Sequence, residues 1–219
     1  MVLVNDSISE MAGERSNRKG SDMRSIRLIF IVLAVLAVSP VPGQQGPVRI
    51  LVAYHSITGN TEKLAQAIRD GGKSVSGVEF TVQKTADIKD EAILQCNGIV
   101  IGSPVHWANI SAETRQFLDR LANVLAKGKV WGEGRTAGVF CTAGNVSSGK
   151  DTARLSLISA LLAMRFVVIG GVDAEGYGIL GPQATTAAGD PGISNAELEE
   201  ARRFGERFAR LTRQLRGAR

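Results

Sequence analysis

The 219-residue chain is 44% hydrophobic and 21% charged, which is typical of one ordinary globular domain with an additional segment at one end. Its formal net charge is +5, but the basic residues are scattered, and no basic run with interleaved aromatic residues indicates nucleic-acid binding. Two cysteines and two histidines are too few for a disulfide framework or a histidine-based metal site.

The N-terminal segment has the features of a targeting sequence. Residues 1–22 are polar and without periodicity, which predicts a disordered extension. Two arginines then precede the unbroken apolar run 28–38, and a stretch with small residues and prolines follows. This order predicts a secretory signal peptide over 23–43, a translation start at Met23 and an exported, extracytoplasmic protein. An uncleaved N-terminal membrane anchor is one alternative, and a cytoplasmic location follows if the signal is not real.

The rest of the chain alternates short apolar runs with segments of helical periodicity. The predicted strands are Val48–Tyr54, Val78–Val82, Gly98–Gly102, Thr136–Cys141 and Phe166–Gly170. The predicted helices are Thr61–Arg69, Asp90–Leu94, 112–126, Thr152–Ala163 and 195–216. Asn195 is the predicted N-cap of the last helix. Strands alternating with helices predict an N-terminal extension over 1–47 and one α/β domain over 48–219, with a parallel sheet covered on both faces.

Ligands of such sheets bind beyond the carboxyl ends of the strands, which directs attention to three loops, after Tyr54, Gly102 and Cys141. The first loop combines a glycine, which permits a tight turn, with hydroxyl and amide side chains at the start of a helix. It contains no Lys or Arg, which favours a phosphate monoester held by neutral donors over a triphosphate with magnesium. An ordinary turn is the alternative. The predicted phosphate-binding residues are Ser56, Ile57, Thr58, Gly59, Asn60 and Thr61.

The first two loops carry a family resemblance. Residues 50–68 (ILVAYHSITGNTEKLAQAI) resemble the first strand, phosphate loop and first helix of the flavodoxin family, in which this loop binds the FMN phosphate. Residues 102–111 (GSPVHWANIS) are similar to the flavin-lining segment of the WrbA-type NAD(P)H:quinone oxidoreductases. The resemblance implies that the flavin ring is lined by Pro104, Val105, His106, Trp107, Ala108 and Asn109.

The third loop resembles the third flavin loop of the same family, and it also fits a different motif. The resemblance implies flavin contacts from Thr142, Ala143, Gly144, Asn145, Val146 and Ser147. Residues 144–150 also match G-x-x-x-x-G-K, the phosphate loop of many nucleotide hydrolases, but Asp151 stands where Ser or Thr should hold magnesium. A P-loop nucleotide-binding protein is therefore the distant alternative.

The resemblance covers about residues 48–216, including the segment 177–192, which is similar to the WrbA-type stretch before the last helix. It implies a flavodoxin-like three-layer sandwich with a five-stranded parallel sheet in the order 2-1-3-4-5. It further implies FMN as cofactor, NAD(P)H as reductant, a two-electron quinone reductase and a homo-oligomer, with no protein residue assigned as a catalytic acid. The alternative is a flavodoxin-type electron-transfer protein that docks on a redox partner and shuttles single electrons. Thr58 departs from the WrbA-type pattern, which has Tyr at this position, and matches flavodoxins.

Overall fold

The computed structural model describes residues 46–171, 178–187 and 189–217. They belong to a compact unit that runs from Gly46 to Arg219. The segment in which the signal peptide is predicted lies outside the described residues. Within the described ranges, no helix is both long enough and apolar enough to cross a membrane.

Strands and helices alternate along the described chain, as the apolar periodicity predicts. The strands are β1 (Val48–Tyr54), β2 (Val78–Lys84), β3 (Gly98–His106), β4 (Asn109–Ile110), β5 (Thr136–Ala143), β6 (Val167–Val168) and β7 (Gln183–Thr185). The helices are α1 (Asn60–Gly72), α2 (Asp90–Gln95), α3 (Ala112–Lys127), α4 (Lys150–Ala163) and α5 (Asn195–Gly217).

The main sheet is parallel, with the strand order β2-β1-β3-β5-β6. This confirms the predicted order 2-1-3-4-5. Two short strands were not predicted: β4 pairs antiparallel with the end of β3, and β7 pairs parallel with the carboxyl end of β5. Strands of two or three residues are too short to show a periodic pattern. The fifth position of the sheet is therefore shared by β6 and β7, because β3 occupies the other edge of β5.

Both faces of the sheet are covered, because successive residues of its central strands are apolar and point to opposite sides. Leu51, Ile99 and Val139 pack in one layer with α2, α3 and α4. Val100 and Phe140 pack in the other layer with α1 and α5. The result is the predicted three-layer sandwich.

Helices α1 and α5 lie in very close contact. A Cβ atom on Gly205 would lie 1.9 Å from the carbonyl oxygen of Ile68, and one on Gly71 would lie 1.9 Å from that of Arg202. Only glycine permits backbones to approach so closely. This contact helps to fix the position of α1, whose N-terminus follows the predicted phosphate loop.

The start of α5 corrects one prediction. Ser194, not Asn195, caps the helix: its hydroxyl accepts the N–H of Glu197 at 3.3 Å, and the Glu197 carboxylate accepts the N–H of Ser194 at 3.0 Å. This reciprocal pair is a capping box. The Glu197 carboxylate also accepts the N–H of Thr185 at 2.7 Å, which ties α5 to β7.

Candidate functional site

The three predicted loops converge at one edge of the sheet. In the register of the strands, Tyr54 of β1 lies opposite Gly102 of β3, and Pro104 of β3 lies opposite Thr142 of β5. A cavity of about 450 Å³ opens between the ends of these strands. The described residues that line it are Ile57, Thr58, Asn60, Thr61, Pro104, Val105, His106, Thr142, Ala143, Gly144, Thr186, Ala187, Gly189 and Asp190.

All three predicted loops contribute to this cavity, but not with every predicted residue. Eight predicted residues do not line it: Ser56, Gly59, Trp107, Ala108, Asn109, Asn145, Val146 and Ser147. Ser56 accepts the N–H of Glu62 at 3.4 Å through its hydroxyl, and Gly59 is the N-cap of α1. Residues 107–109 form a hairpin turn and the start of β4, and residues 145–147 are exposed.

A fourth segment, which the sequence analysis did not predict as part of the site, also lines the cavity. Thr186, Ala187, Gly189 and Asp190 follow β7, which pairs with the last three residues of β5. The pairing places this segment at the carboxyl end of β5, where the cavity opens. The signal in the sequence was the resemblance of 177–192 to the WrbA-type stretch, which included these residues without assigning them a role.

The loop after β1 is built around the N-terminus of α1. Gly59 adopts a left-handed conformation with φ of 87°, which L side chains rarely adopt, and a Cβ there would meet nothing within 4 Å. The buried side-chain amide of Asn60 donates to the hydroxyl of Thr58 at 2.9 Å and to the carboxylate of Asp190 at 2.7 Å. The hydroxyl of Thr58 thereby accepts from Asn60 and keeps its own hydrogen for an acceptor in the cavity.

The loop after β3 is a tight hairpin that exposes an aromatic ring. His106 pairs with Asn109, and the two residues between them, Trp107 and Ala108, have φ of 50° and 62°. A two-residue turn with positive φ at both positions normally uses Asn and Gly, so this turn is strained. The Trp107 side chain is 100% exposed. Strain of this kind is typical of functional loops, and here it holds a large apolar ring in solvent next to the cavity-lining residue His106.

The electrostatics of the cavity are unusual for an anion site. Among the described lining residues there is no Lys or Arg, and Asp190 is the one carboxylate. Burial, together with a hydrogen bond to Glu62, raises the pKa of Tyr54, at the end of β1, to about 12. Positive potential for an anion therefore comes from neutral donors and from the N-terminus of α1.

His55, just after β1, contacts residues on both sides of the turn that follows β3. His55 Nδ1 lies 2.8 Å from the hydroxyl of Ser111, which caps α3 by accepting the N–H of Thr114 at 3.3 Å. Burial lowers the pKa of His55 below 6.5, while the Glu113 carboxylate at 3.5 Å opposes that shift and His106 adds to it. The His55 and His106 rings meet edge to face with centroids 6.1 Å apart.

The structure assigns the residues of the P-loop-like motif to other contacts. The Lys150 ammonium donates to the Thr185 hydroxyl, and the Asp151 carboxylate accepts from the Arg154 guanidinium. Arg154, which is buried, also donates to Gln183 at 2.9 Å. Neither Lys150 nor Asp151 lines the cavity. Together these contacts anchor β7, and with it the fourth segment, to α4.

Comparison with known proteins agrees with this architecture. The sequence profile described as NADPH-dependent FMN reductase matches residues 47–175, more than half of the chain. The chain belongs to this family. It is 32% identical over 163 residues to a flavodoxin of Aquifex aeolicus, covering 74% of this chain and 85% of that protein. It is also 29% identical over 200 residues to an NAD(P)H dehydrogenase (quinone) of Acidithiobacillus ferrooxidans, covering 77% of this chain and 99% of that protein.

A solved structure supports the same fold. The flavodoxin, WrbA-like protein of Agrobacterium tumefaciens superimposes with a TM-score of 0.60 at 21% identity, covering 76% of this chain and 98% of that one. The predicted resemblance to flavodoxin-like, WrbA-type FMN proteins is thereby confirmed. The chain is an FMN-dependent oxidoreductase with NAD(P)H as reductant.

The residues of the cavity fit FMN. Its volume is in the range of roughly 300–1,000 Å³ that small-molecule sites occupy. The Asn60 side-chain oxygen is buried without a hydrogen-bond partner among the described residues, as expected where a ligand completes the site. At Gly144 a Cβ would meet nothing within 4 Å, so the backbone is open to a ligand there. Neutral hydroxyls beside the N-terminus of α1 suit a phosphate, and the apolar residues Ile57, Pro104 and Val105 in the lining suit a flat ring.

Proposed function

We propose that the chain holds FMN in the cavity between the ends of β1, β3 and β5 and works as an NAD(P)H:quinone two-electron oxidoreductase. The observation that carries this proposal is the convergence of three loops on one cavity, one at the N-terminus of α1 and another with an exposed tryptophan next to the lining residue His106. The relative from Acidithiobacillus ferrooxidans, whose name states NAD(P)H dehydrogenase (quinone) activity, supports the choice of substrate.

The proposed role of the loop after β1 is to hold the phosphate. The free amides at the start of α1 point along the helix axis, and the hydroxyl of Thr58 adds a donor beside them. The Thr61 hydroxyl adds a second donor when it accepts from the Thr142 hydroxyl, with which it shares a hydrogen bond. The Gly59 conformation lets the backbone turn toward the ligand without a side chain in the way. Ser56, whose hydroxyl accepts from Glu62, keeps this turn in place.

The loops after β3 and β5 are proposed to hold the ring. Trp107 offers a flat apolar surface, and His106 lines the cavity as a polar edge. Ala143 and Gly144 bring backbone groups to the other side. Ile57 and Val146 are 69% and 79% exposed, so apolar surface is available for a second planar molecule. Bound FMN would supply the redox chemistry, while the residues of these loops hold and orient it.

A flavodoxin-type electron-transfer protein is the second candidate, favoured by the relative from Aquifex aeolicus, which is named a flavodoxin. The test uses purified protein reconstituted with FMN under anaerobic conditions. NADPH alone should bleach the flavin absorbance, and adding benzoquinone should restore it over many turnovers. Flavin that NADPH does not reduce, but that a partner reductase does, would favour the electron-transfer protein.

We also propose that residues 23–43 act as a secretory signal peptide, so that the mature chain is exported. The support is the order of features in the sequence: two arginines, the apolar run 28–38 and a stretch of small residues. The mature N-terminus of the protein in its host tests this proposal.

A further inference from the structure

The cavity proposed for FMN has a carboxylate, that of Asp190, beside the proposed position of the phosphate. Asp190 lines the cavity together with Thr58 and Asn60, the residues proposed to surround the phosphate. Its carboxylate oxygen lies 2.7 Å from the side-chain nitrogen of Asn60. No described lining residue is Lys or Arg, so the cavity itself supplies no cation to offset this charge.

The contact with Asp190 also determines what Asn60 offers a ligand. Asn60 has two amide hydrogens, and one goes to the Thr58 hydroxyl while the other goes to the Asp190 carboxylate. With the amide reversed, the Asn60 oxygen would face a carboxylate, which accepts but cannot donate. Asp190 therefore fixes the amide orientation and uses a donor that the sequence alone had assigned to the phosphate.

The backbone presents Asp190 from a turn rather than from a regular element. Its φ is 47°, and Gly189 and Gly192 on either side also have positive φ. Asp and Asn are the non-glycine residues that tolerate this left-handed conformation best. An exchange of Asp190 for Asn therefore removes the charge and keeps both the backbone and an oxygen that can accept from Asn60.

We propose that Asp190 is a specificity-determining residue that opposes the phosphate of the flavin, an inference that rests on the proposed function. Its carboxylate weakens the binding of FMN, which carries a phosphate, and leaves the binding of riboflavin, which carries none, unaffected. The site thereby holds FMN less tightly than its neutral donors alone would, and the flavin exchanges more readily.

The test measures dissociation constants of FMN and riboflavin by quenching of flavin fluorescence. Asp190→Asn should bind FMN about fivefold more tightly, the factor expected from like charges a few ångströms apart in a solvated cleft. Riboflavin affinity should stay within twofold of that of the unsubstituted protein. A change in the shape of the site would instead alter the affinities for both flavins. The gain in FMN affinity should shrink in high salt, because ions screen the repulsion. Asp119→Asn, which changes the net charge equally on the surface of α3, should alter neither constant.

Two results would overturn the inference alone. The first is FMN affinity that is unchanged or weaker in Asp190→Asn, as expected if Lys63, whose Nζ would lie 3.8 Å from a Cβ on Gly192, neutralises the carboxylate. The second is an equal change in the affinities for FMN and riboflavin, which would show that Asp190 acts through the shape of the site and not through its charge. Failure of the unsubstituted protein to bind either flavin would instead overturn the proposed function, and the inference with it.

Discussion

The hydroxyl oxygens of Thr61 and Thr142 lie 2.7 Å apart, and both side chains are buried. Thr61 stands in the first turn of α1 and Thr142 near the end of β5, so this single hydrogen bond joins the first and third loops of the cavity. The two residues are 81 positions apart in the chain. The proposed phosphate loop and the strand that carries the proposed ring-binding loop are thus joined directly by a buried hydrogen bond.

Breaking that hydrogen bond should lower the stability of the protein. Thr142→Val leaves the Thr61 hydroxyl buried without its partner, and we expect a loss of about 1–3 kcal/mol in the free energy of unfolding. The double variant Thr61→Val/Thr142→Val should lose less than the sum of the single variants, because neither hydroxyl is then left alone. Urea unfolding measures the free energy of unfolding of the two single variants and the double variant. Thr152 is exposed, so the control Thr152→Val should have a free energy of unfolding within about 0.5 kcal/mol of that of the unsubstituted protein. Additive losses would show that the two hydroxyls do not interact.

The phosphate position is tested by substitution at Thr58. Thr58→Glu places a carboxylate among the proposed phosphate donors and should abolish FMN binding. Thr58→Ala removes one hydroxyl and should cost about 0.5–1.5 kcal/mol in binding, or up to about 3 if the acceptor is charged. Titration of the apoprotein with FMN, followed by fluorescence quenching, gives both values.

Lys150→Ala separates the flavin site from the P-loop alternative. The Lys150 ammonium contacts Thr185 and does not line the cavity, so its loss should change FMN affinity little. A P-loop protein predicts the opposite pattern, with Lys150→Ala losing its ligand and Thr58→Glu retaining it. Observing that pattern would place the phosphate in the loop after β5.

Trp107 should matter for flavin binding and not for folding. Its side chain is fully exposed, so Trp107→Ala removes no buried apolar contact, and the midpoint of thermal unfolding should hardly move. FMN affinity should fall, because the flat surface beside the ring is lost. Trp107→Gly should bind FMN as weakly as Trp107→Ala but be more stable by about 1 kcal/mol, since glycine adopts φ of 50° without strain. Unchanged FMN affinity in both variants would exclude Trp107 from the site.

His55 predicts a pH dependence of stability. Burial lowers its pKa in the folded protein below 6.5, the ordinary value that applies to the unfolded chain. Between these two values the unfolded chain binds a proton that the folded protein does not. The stability contribution is therefore complete above about pH 6.5 and is lost as the pH falls toward the lowered pKa.

Two variants isolate this effect in unfolding measurements across about pH 5 to 8. His55→Gln should flatten the loss of stability on the acidic side. Glu113→Gln should make the loss steeper, because the Glu113 carboxylate raises the pKa of His55 and its removal lowers that pKa further. Identical pH profiles in all three proteins would show that His55 does not titrate in this range.

Export predicts a defined N-terminus. If residues 23–43 are a cleaved signal peptide, the mature protein from its host begins near Gln44. Edman sequencing of protein from the extracytoplasmic fraction checks this. Soluble cytoplasmic protein with an intact Met1 or Met23 would contradict it.

The sequence by itself determined the order of strands and helices and the three loops at the strand ends. Those features depend on contiguous residues: a run of apolar side chains makes β1, and the alternation of strands with helices makes the sheet parallel. The Ser194–Glu197 capping box is also present in the sequence as the pattern Ser-x-x-Glu, although Asn195 was the predicted N-cap.

The tertiary structure alone decided the fourth side of the cavity and the exposure of the indole. Asp190 meets Asn60 because three residues of β7 pair with β5, and so short a strand leaves no periodic signal in the sequence. Trp107 and Ala108 turn tightly although neither residue favours positive φ, because pairing of β4 with β3 imposes the turn. Contacts between residues far apart in the chain depend on packing energy summed over the whole domain, which no local window of sequence contains.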